Sequence, residues 1–211
     1  MRPTVIALTG LPGTGKSRLA ASLYPLLPDE FGYLDIDTLT QPLIRAALAV
    51  NRMTLGAASA SGALRALRDA QYECLFAQVR ELVSFGRSVL VVAPMTHELE
   101  NPPAFMRVVA SLEPARFLLM RAHAWPELVR RRLEQRGDFL DELRLSRWEQ
   151  DRHRYERPVA LPMRGLELET SERASEPLAE QALLWIASQL ADEERRTHDT
   201  TARSAAQRMR A

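Results

Sequence analysis

Short apolar, β-branched runs alternate with longer stretches whose apolar positions recur at helical spacing, from residue 4 to about residue 190. Residues 4–9 (TVIALT) stop abruptly at Gly10, as a strand buried on both faces would. A helix is predicted over 15–24, ending near Pro25 and Pro28. Residues 31–37 (FGYLDID) read as a second strand with acidic residues at its end, and Thr38 as the N-cap of a helix to about residue 50. Residues 53–61 are small and suit a loop. A long helix over 62–85 carries Leu64, Leu67, Cys74, Leu75, Val79, Leu82 and Val83 on one stripe.

The alternation continues. Residues 88–93 (SVLVVA) form a third strand, 94–103 a polar connection, about 104–112 a helix and 116–121 (RFLLMR) a fourth strand. Residues 125–136 make a strongly basic helix, and 138–155 a second, highly charged one. A fifth strand is expected over 166–170 (LELET), then a closing helix over about 177–190 with Leu178, Ala182, Leu183, Ile186 and Leu190 inward. Residues 192–211 are polar and read as a disordered tail or a frayed helix extension, leaving one domain over 1–191. Five short strands alternating with helices imply an α/β fold, a parallel sheet covered on both faces, with ligands at the carboxyl ends of its strands.

Composition narrows this little. The 211 residues are 46% apolar and 26% charged, with a formal charge of +1, so no overall field argues for nucleic acid or a membrane. No apolar run approaches the roughly 18 residues of a membrane span. Cys74 is the single cysteine, which excludes an internal disulfide and suits a reducing, cytoplasmic compartment. Of 28 basic residues Lys16 alone is lysine, so arginine has filled every position where either cation serves.

That lysine lies in Gly10-Leu11-Pro12-Gly13-Thr14-Gly15-Lys16-Ser17, a full G-x-x-x-x-G-K-[ST] loop after a strand and before a helix. Each residue type has a reason. The glycines let backbone N–H groups wrap a phosphate, and the following helix, with Arg18 in its first turn, adds its positive end. Lys16 reaches the β and γ phosphates of ATP, and the Ser17 hydroxyl is a ligand for Mg²⁺. The motif specifies triphosphate binding without separating a kinase from an NTPase.

GLPGTGKSRLA, an acidic strand-2 end and an R-x-x-x-R helix together resemble the small P-loop kinases. These include adenylate kinase, gluconate kinase, chloramphenicol phosphotransferase and the kinase part of polynucleotide kinases. The D-x-D-T setting (Asp35-Ile36-Asp37-Thr38) and a third strand closing in V-x-V-A-P resemble, more narrowly, the actinobacterial kinases called AAA family ATPases. The resemblance covers about residues 4–190 and implies strand order 2-3-1-4-5 with a helical lid at about 137–155. Alternation along strand 2 would put Asp35 and Asp37 on one side. Asp37 is then the expected base for a substrate hydroxyl, and Asp35 its metal or orienting partner, unless one of them merely caps the next helix. Arg132 is expected near adenine and Arg136 against the transferring phosphate, with Arg130 and Arg131 as alternatives one register away. Relatives often carry an aspartate where Val92-Ala93-Pro94 stand here, so the metal site rests on Ser17 and Asp35 or Asp37, with His97 or Glu98 as other candidates.

The acceptor is expected between strands 2 and 3. Arg65, Arg68, Asp69 and Tyr72 fall on a polar face of the long helix, and with His97 they are candidates to grip it; a solvated surface explains them equally. The expected activity is transfer of the γ-phosphate of ATP, with Mg²⁺, to a hydroxyl of a small molecule. Two alternatives stand beside it: a toxin-like or nucleic-acid 5′-end kinase, and a nucleotide-dependent switch that hydrolyses ATP without an acceptor. Oligomeric state and the identity of the acceptor leave no mark in the sequence.

Overall fold

Six consecutive buried residues, Thr4–Thr9, make strand β1 the centre of the computed structural model, which describes residues 2–172 and 174–208 and side chains through 192. Strands β2 (Phe31–Asp35), β3 (Ser88–Val92), β4 (Arg116–His123) and β5 (Gly165–Glu169) complete a five-stranded sheet in the order β2-β3-β1-β4-β5. All four pairings are parallel, with Ile6 opposite both Leu90 and Leu118. Sequential strands in a parallel sheet need crossovers, and the intervening helices supply them on both faces.

The period of two divides the core. Val5, Ala7, Val89, Val91, Phe117 and Leu119 face helix α4 (Ala63–Ser84), while Ile6, Leu8, Leu90 and Met120 face α1 (Lys16–Leu23) and α11 (Ser175–Arg208). The buried stripe of α4 is Tyr72, Leu75, Phe76, Val79 and Val83; Cys74, expected on it, is exposed. Spacing of three and four from Tyr72 leaves residue 74 off the stripe. No helix among the described residues is long and apolar enough to cross a membrane.

Several predicted boundaries move. Strand β2 ends at Asp35 rather than residue 37, and helix α2 (Ile36–Val50) follows without a loop. Asp35, not Thr38, is its N-cap, accepting the Asp37 N–H at 2.9 Å. The expected loop at 53–61 contains helix α3 (Leu55–Ala60), capped by Thr54 and packed through Ala58 on Ile44 and Leu48. The connection at 94–103 contains α5 (Thr96–Glu100) and opens α6 (Pro102–Ala110). Helix α7 spans Pro126–Arg136 and ends at Gly137 in the left-handed conformation.

The expected lid helix is three short ones, α8 (Asp141–Ser146), α9 (Trp148–Asp151) and α10 (His153–Glu156). Their apolar residues form no continuous stripe. Leu145, Trp148 and Tyr155 instead curl back onto Ala124, Val129 and Leu133, a small separate core that holds the lid against α7. The closing helix is longer than the predicted 177–190; of the expected tail, residues 209–211 lie outside the described residues.

Candidate active site

Between β1 and α1 the chain turns through Gly10, Gly13 and Gly15, all with positive φ. At two of these positions a side chain would force its neighbours to move. A Cβ on Gly10 would fall 2.1 Å from the Ala122 carbonyl oxygen, and one on Gly13 would fall 2.8 Å from Val129 Cγ1. The loop is thus pressed between the end of β4 and helix α7, and its form is set by packing as well as by backbone freedom. Thr14 Oγ1 donates to the Leu11 carbonyl at 2.7 Å, and Lys16 Nζ to the same oxygen at 3.1 Å. Lys16 is buried, and desolvation pushes its ammonium down to about 8 against the opposing pull of Asp37.

Next along α1, Ser17 Oγ donates to Asp35 Oδ2 at 2.9 Å. One carboxylate therefore ties the loop to the start of α2, where Asp37 occupies the first turn. Burial, then the neighbouring Asp35 charge, raise the Asp37 carboxyl above its ordinary range, with Lys16 pulling the other way. Among the described residues no group of three or more His, Cys, Asp or Glu is arranged to hold a metal. Ser17 and Asp35 nevertheless present two hard oxygen donors side by side, which fits Mg²⁺ held jointly with phosphate oxygens.

The lid contributes a charged cluster around Asp141, whose side chain is 1% exposed. Arg136 donates to both its oxygens at 2.7 and 2.6 Å, and Arg144 to one at 2.7 Å. Burial works against the ionised form of Asp141, but these guanidinium bonds outweigh it and hold the carboxyl below the usual range. Two cations on one anion leave the cluster with net positive charge facing the phosphate loop.

Two cavities meet here. The first, about 320 Å³, is lined by the loop, Lys16, Ser17, Arg18, Arg132, Arg136 and Thr170. The second, about 300 Å³, lies between α2, α4 and the lid and is lined by Ile36, Leu64, Arg68, Tyr72, Trp148 and Arg154 among others. Pro12, Asp37, Pro94 and Arg144 border both.

The sequence profile of the AAA domain family matches residues 5–158. The chain belongs to that family. No curated protein matches it significantly by sequence. Its fold is that of the small P-loop kinases. A proposed kinase from Chloroflexus aurantiacus superposes with a TM-score of 0.64 at 18% identity, over 89% of this chain and 97% of its own. A sugar kinase from a Janibacter species gives 0.57 at 15% identity, over 88% and 95%. A gluconokinase from Sinorhizobium meliloti gives 0.57 at 15% identity, over 91% and 98%.

In this AAA domain chain the residues singled out from sequence fall in different parts of the site. Gly13, Gly15, Lys16, Ser17, Arg18, Asp37, Arg132 and Arg136 share the first cavity. Gly10 and Leu11 lie on the loop's other side. Asp35 is buried beneath Ser17, and because the strand stops there, it and Asp37 are not on one side of β2 as alternation predicted. Arg132 donates to the Thr170 carbonyl at 2.8 Å and leans on the Gly13 carbonyl at 3.4 Å.

On the acceptor side the grouping changes. Arg68 and Tyr72 line the second cavity, but Tyr72 is buried and not on a polar face: its hydroxyl accepts the Met95 N–H at 2.7 Å. Arg68 sits over the Tyr72 ring and pairs with buried Glu98 at 2.9 Å. Arg65 and His97 are exposed and border neither cavity. The sequence does not single out Arg144 or Thr170: Arg144 is one of several arginines in the highly charged segment 138–155, and Thr170, which donates to the Thr14 carbonyl at 2.7 Å, carries no signal of its own.

Proposed function

We propose that this chain is an ATP-dependent phosphotransferase that moves the γ-phosphate to a hydroxyl group of a small molecule. The observation that carries this reading is the shared wall: Asp37 and Arg144 border both the phosphate-loop cavity and the second cavity. A switch that only hydrolyses ATP has no need of a second, partly apolar cavity opening on the same carboxylate. The names of the sugar kinase and the gluconokinase that share the fold point the same way.

In this account the loop N–H groups and Lys16 cradle the triphosphate, with Arg132 beside it. Ser17 and Asp35 would hold Mg²⁺, which when bound neutralises charge on the β and γ oxygens. The acceptor occupies the second cavity with its hydroxyl against Asp37. As the new O–P bond forms, the hydroxyl proton passes to the Asp37 carboxylate, and the β–γ bridging bond breaks to release ADP. Arg144 and Arg136 face the charge spread over the transferring group. The raised Asp37 carboxyl makes it a stronger base than an ordinary aspartate.

The test is a screen of hydroxylated metabolites, nucleosides and antibiotics with γ-labelled ATP, using Lys16→Ala as the blank. A labelled product formed by the wild type and not by the variant is the expected result. ATP hydrolysis with no labelled acceptor in any pool would contradict it.

A further inference from the structure

A third cavity, about 340 Å³, opens on the far side of the phosphate loop, against Gly10 and Leu11. It shares Pro94 with the ATP cavity, and Leu11, Pro94, Thr96 and Arg154 with the acceptor cavity. Its lining is strongly basic. Arg121, Arg154 and Arg157 border it with His153, and Glu100, already paired with Arg154, is the one carboxylate among the described lining residues.

Arg121 is the unusual member. It stands on β4 with its side chain 6% exposed. One terminal nitrogen donates to the Val159 carbonyl and the other to Glu167 at 2.7 Å. Its Nε is buried and has no hydrogen-bond partner, the one such side-chain atom among the described residues. A guanidinium N–H left unmatched in the interior is costly, and a carboxylate or phosphate oxygen is its best match.

We propose that this cavity is a second ligand site, separate from ATP and acceptor, for a small molecule bearing a carboxylate or phosphate group seated on Arg121, Arg154 and Arg157. Glu100 holds Arg154 in the absence of that anion, and the anion displaces it. Arg154 also borders the acceptor cavity, so occupancy of the third cavity is felt there.

Calorimetry on the full chain tests this with the phosphate loop first filled by Mg²⁺ and a non-hydrolysable ATP analogue. Inorganic phosphate is titrated in one arm and succinate in the other. The expected result is one further site in at least one arm, weakened about tenfold or more by Arg157→Ser, with nucleotide affinity retained. Arg157 is exposed, so its replacement does not threaten the fold. Arg68→Met, which alters the acceptor cavity, should leave the site intact. Three results would overturn the assignment: no binding in either arm, indifference to Arg157→Ser, or equal loss in Arg68→Met. The first would leave Nε to a single buried water in the hollow of about 20 Å³ that also borders Arg121.

Discussion

Ser17 and Asp35 are joined by a 2.9 Å hydrogen bond, and the other oxygen of the same carboxylate caps the helix that carries Asp37. Asp35 thus has two separable tasks, and two substitutions divide them. Asp35→Asn keeps a good cap, so stability should barely change, while the Mg²⁺ concentration needed for half-maximal transfer rises. Asp35→Ala should lose both, at about 1 kcal/mol in denaturant unfolding. An unchanged Mg²⁺ requirement in both variants would remove Asp35 from the metal site.

Lys16 should cost the fold stability. Its folded value of about 8 lies below the ordinary 10.5, so holding the ammonium is harder in the folded state than in the unfolded chain. The contribution is complete above 10.5 and is lost as pH falls towards 8, leaving a penalty of about 3 kcal/mol at neutral pH. Lys16→Met should therefore unfold at higher denaturant than the wild type at pH 7 while losing ATP binding. In the wild type, ATP affinity should fall as pH rises past 8, where the free protein gives up the ammonium. Melting curves and nucleotide titrations between pH 6 and 9 read both effects.

Removing Asp141 leaves Arg136 and Arg144 facing one another without their shared anion. Asp141→Asn should destabilise by about 3 kcal/mol and loosen the lid. Because the folded carboxyl lies below its ordinary range, its contribution is present above that range and lost as pH falls through the folded value. With Trp125 and Trp185 replaced by Phe, the fluorescence of buried Trp148 reports the lid alone. It should shift towards the solvated signal in acid, and already at neutral pH in Asp141→Asn.

Gly13→Ala tests whether loop shape depends on packing. The added Cβ meets Val129 and Leu133 at a left-handed φ, so helix α7 must retreat. The variant should lose both stability and ATP affinity, whereas Gly62→Ala, where nothing lies within 4 Å of the new Cβ, should pay the backbone strain alone.

Features with local causes are legible in the sequence. A parallel sheet follows from buried runs alternating with helices, and the phosphate loop from a motif whose residues are adjacent, whereas the strand order is what the resemblance to small P-loop kinases implies. Asp37 lies in the helix and not on the strand because Asp35 both ends β2 and caps α2, and the same carboxylate is held by Ser17, 18 positions away. Arg144 could not be picked from its neighbours because its role depends on where the lid folds. That is decided by Trp148 and Tyr155 packing on α7. The third cavity has no motif at all: Arg121, Arg154 and Arg157 come together only through the sheet and the segment after α10.

In the proposed function, Asp37 takes the proton of a hydroxyl acceptor across the wall between two cavities. Single-turnover transfer from γ-labelled ATP to the acceptor found by screening, with ATP affinity measured in parallel, tests it most directly in Asp37→Asn. Transfer is expected to slow by about 10²–10⁴-fold with ATP binding retained. Transfer at the wild-type rate, or loss that tracks a loss of ATP affinity, would contradict it.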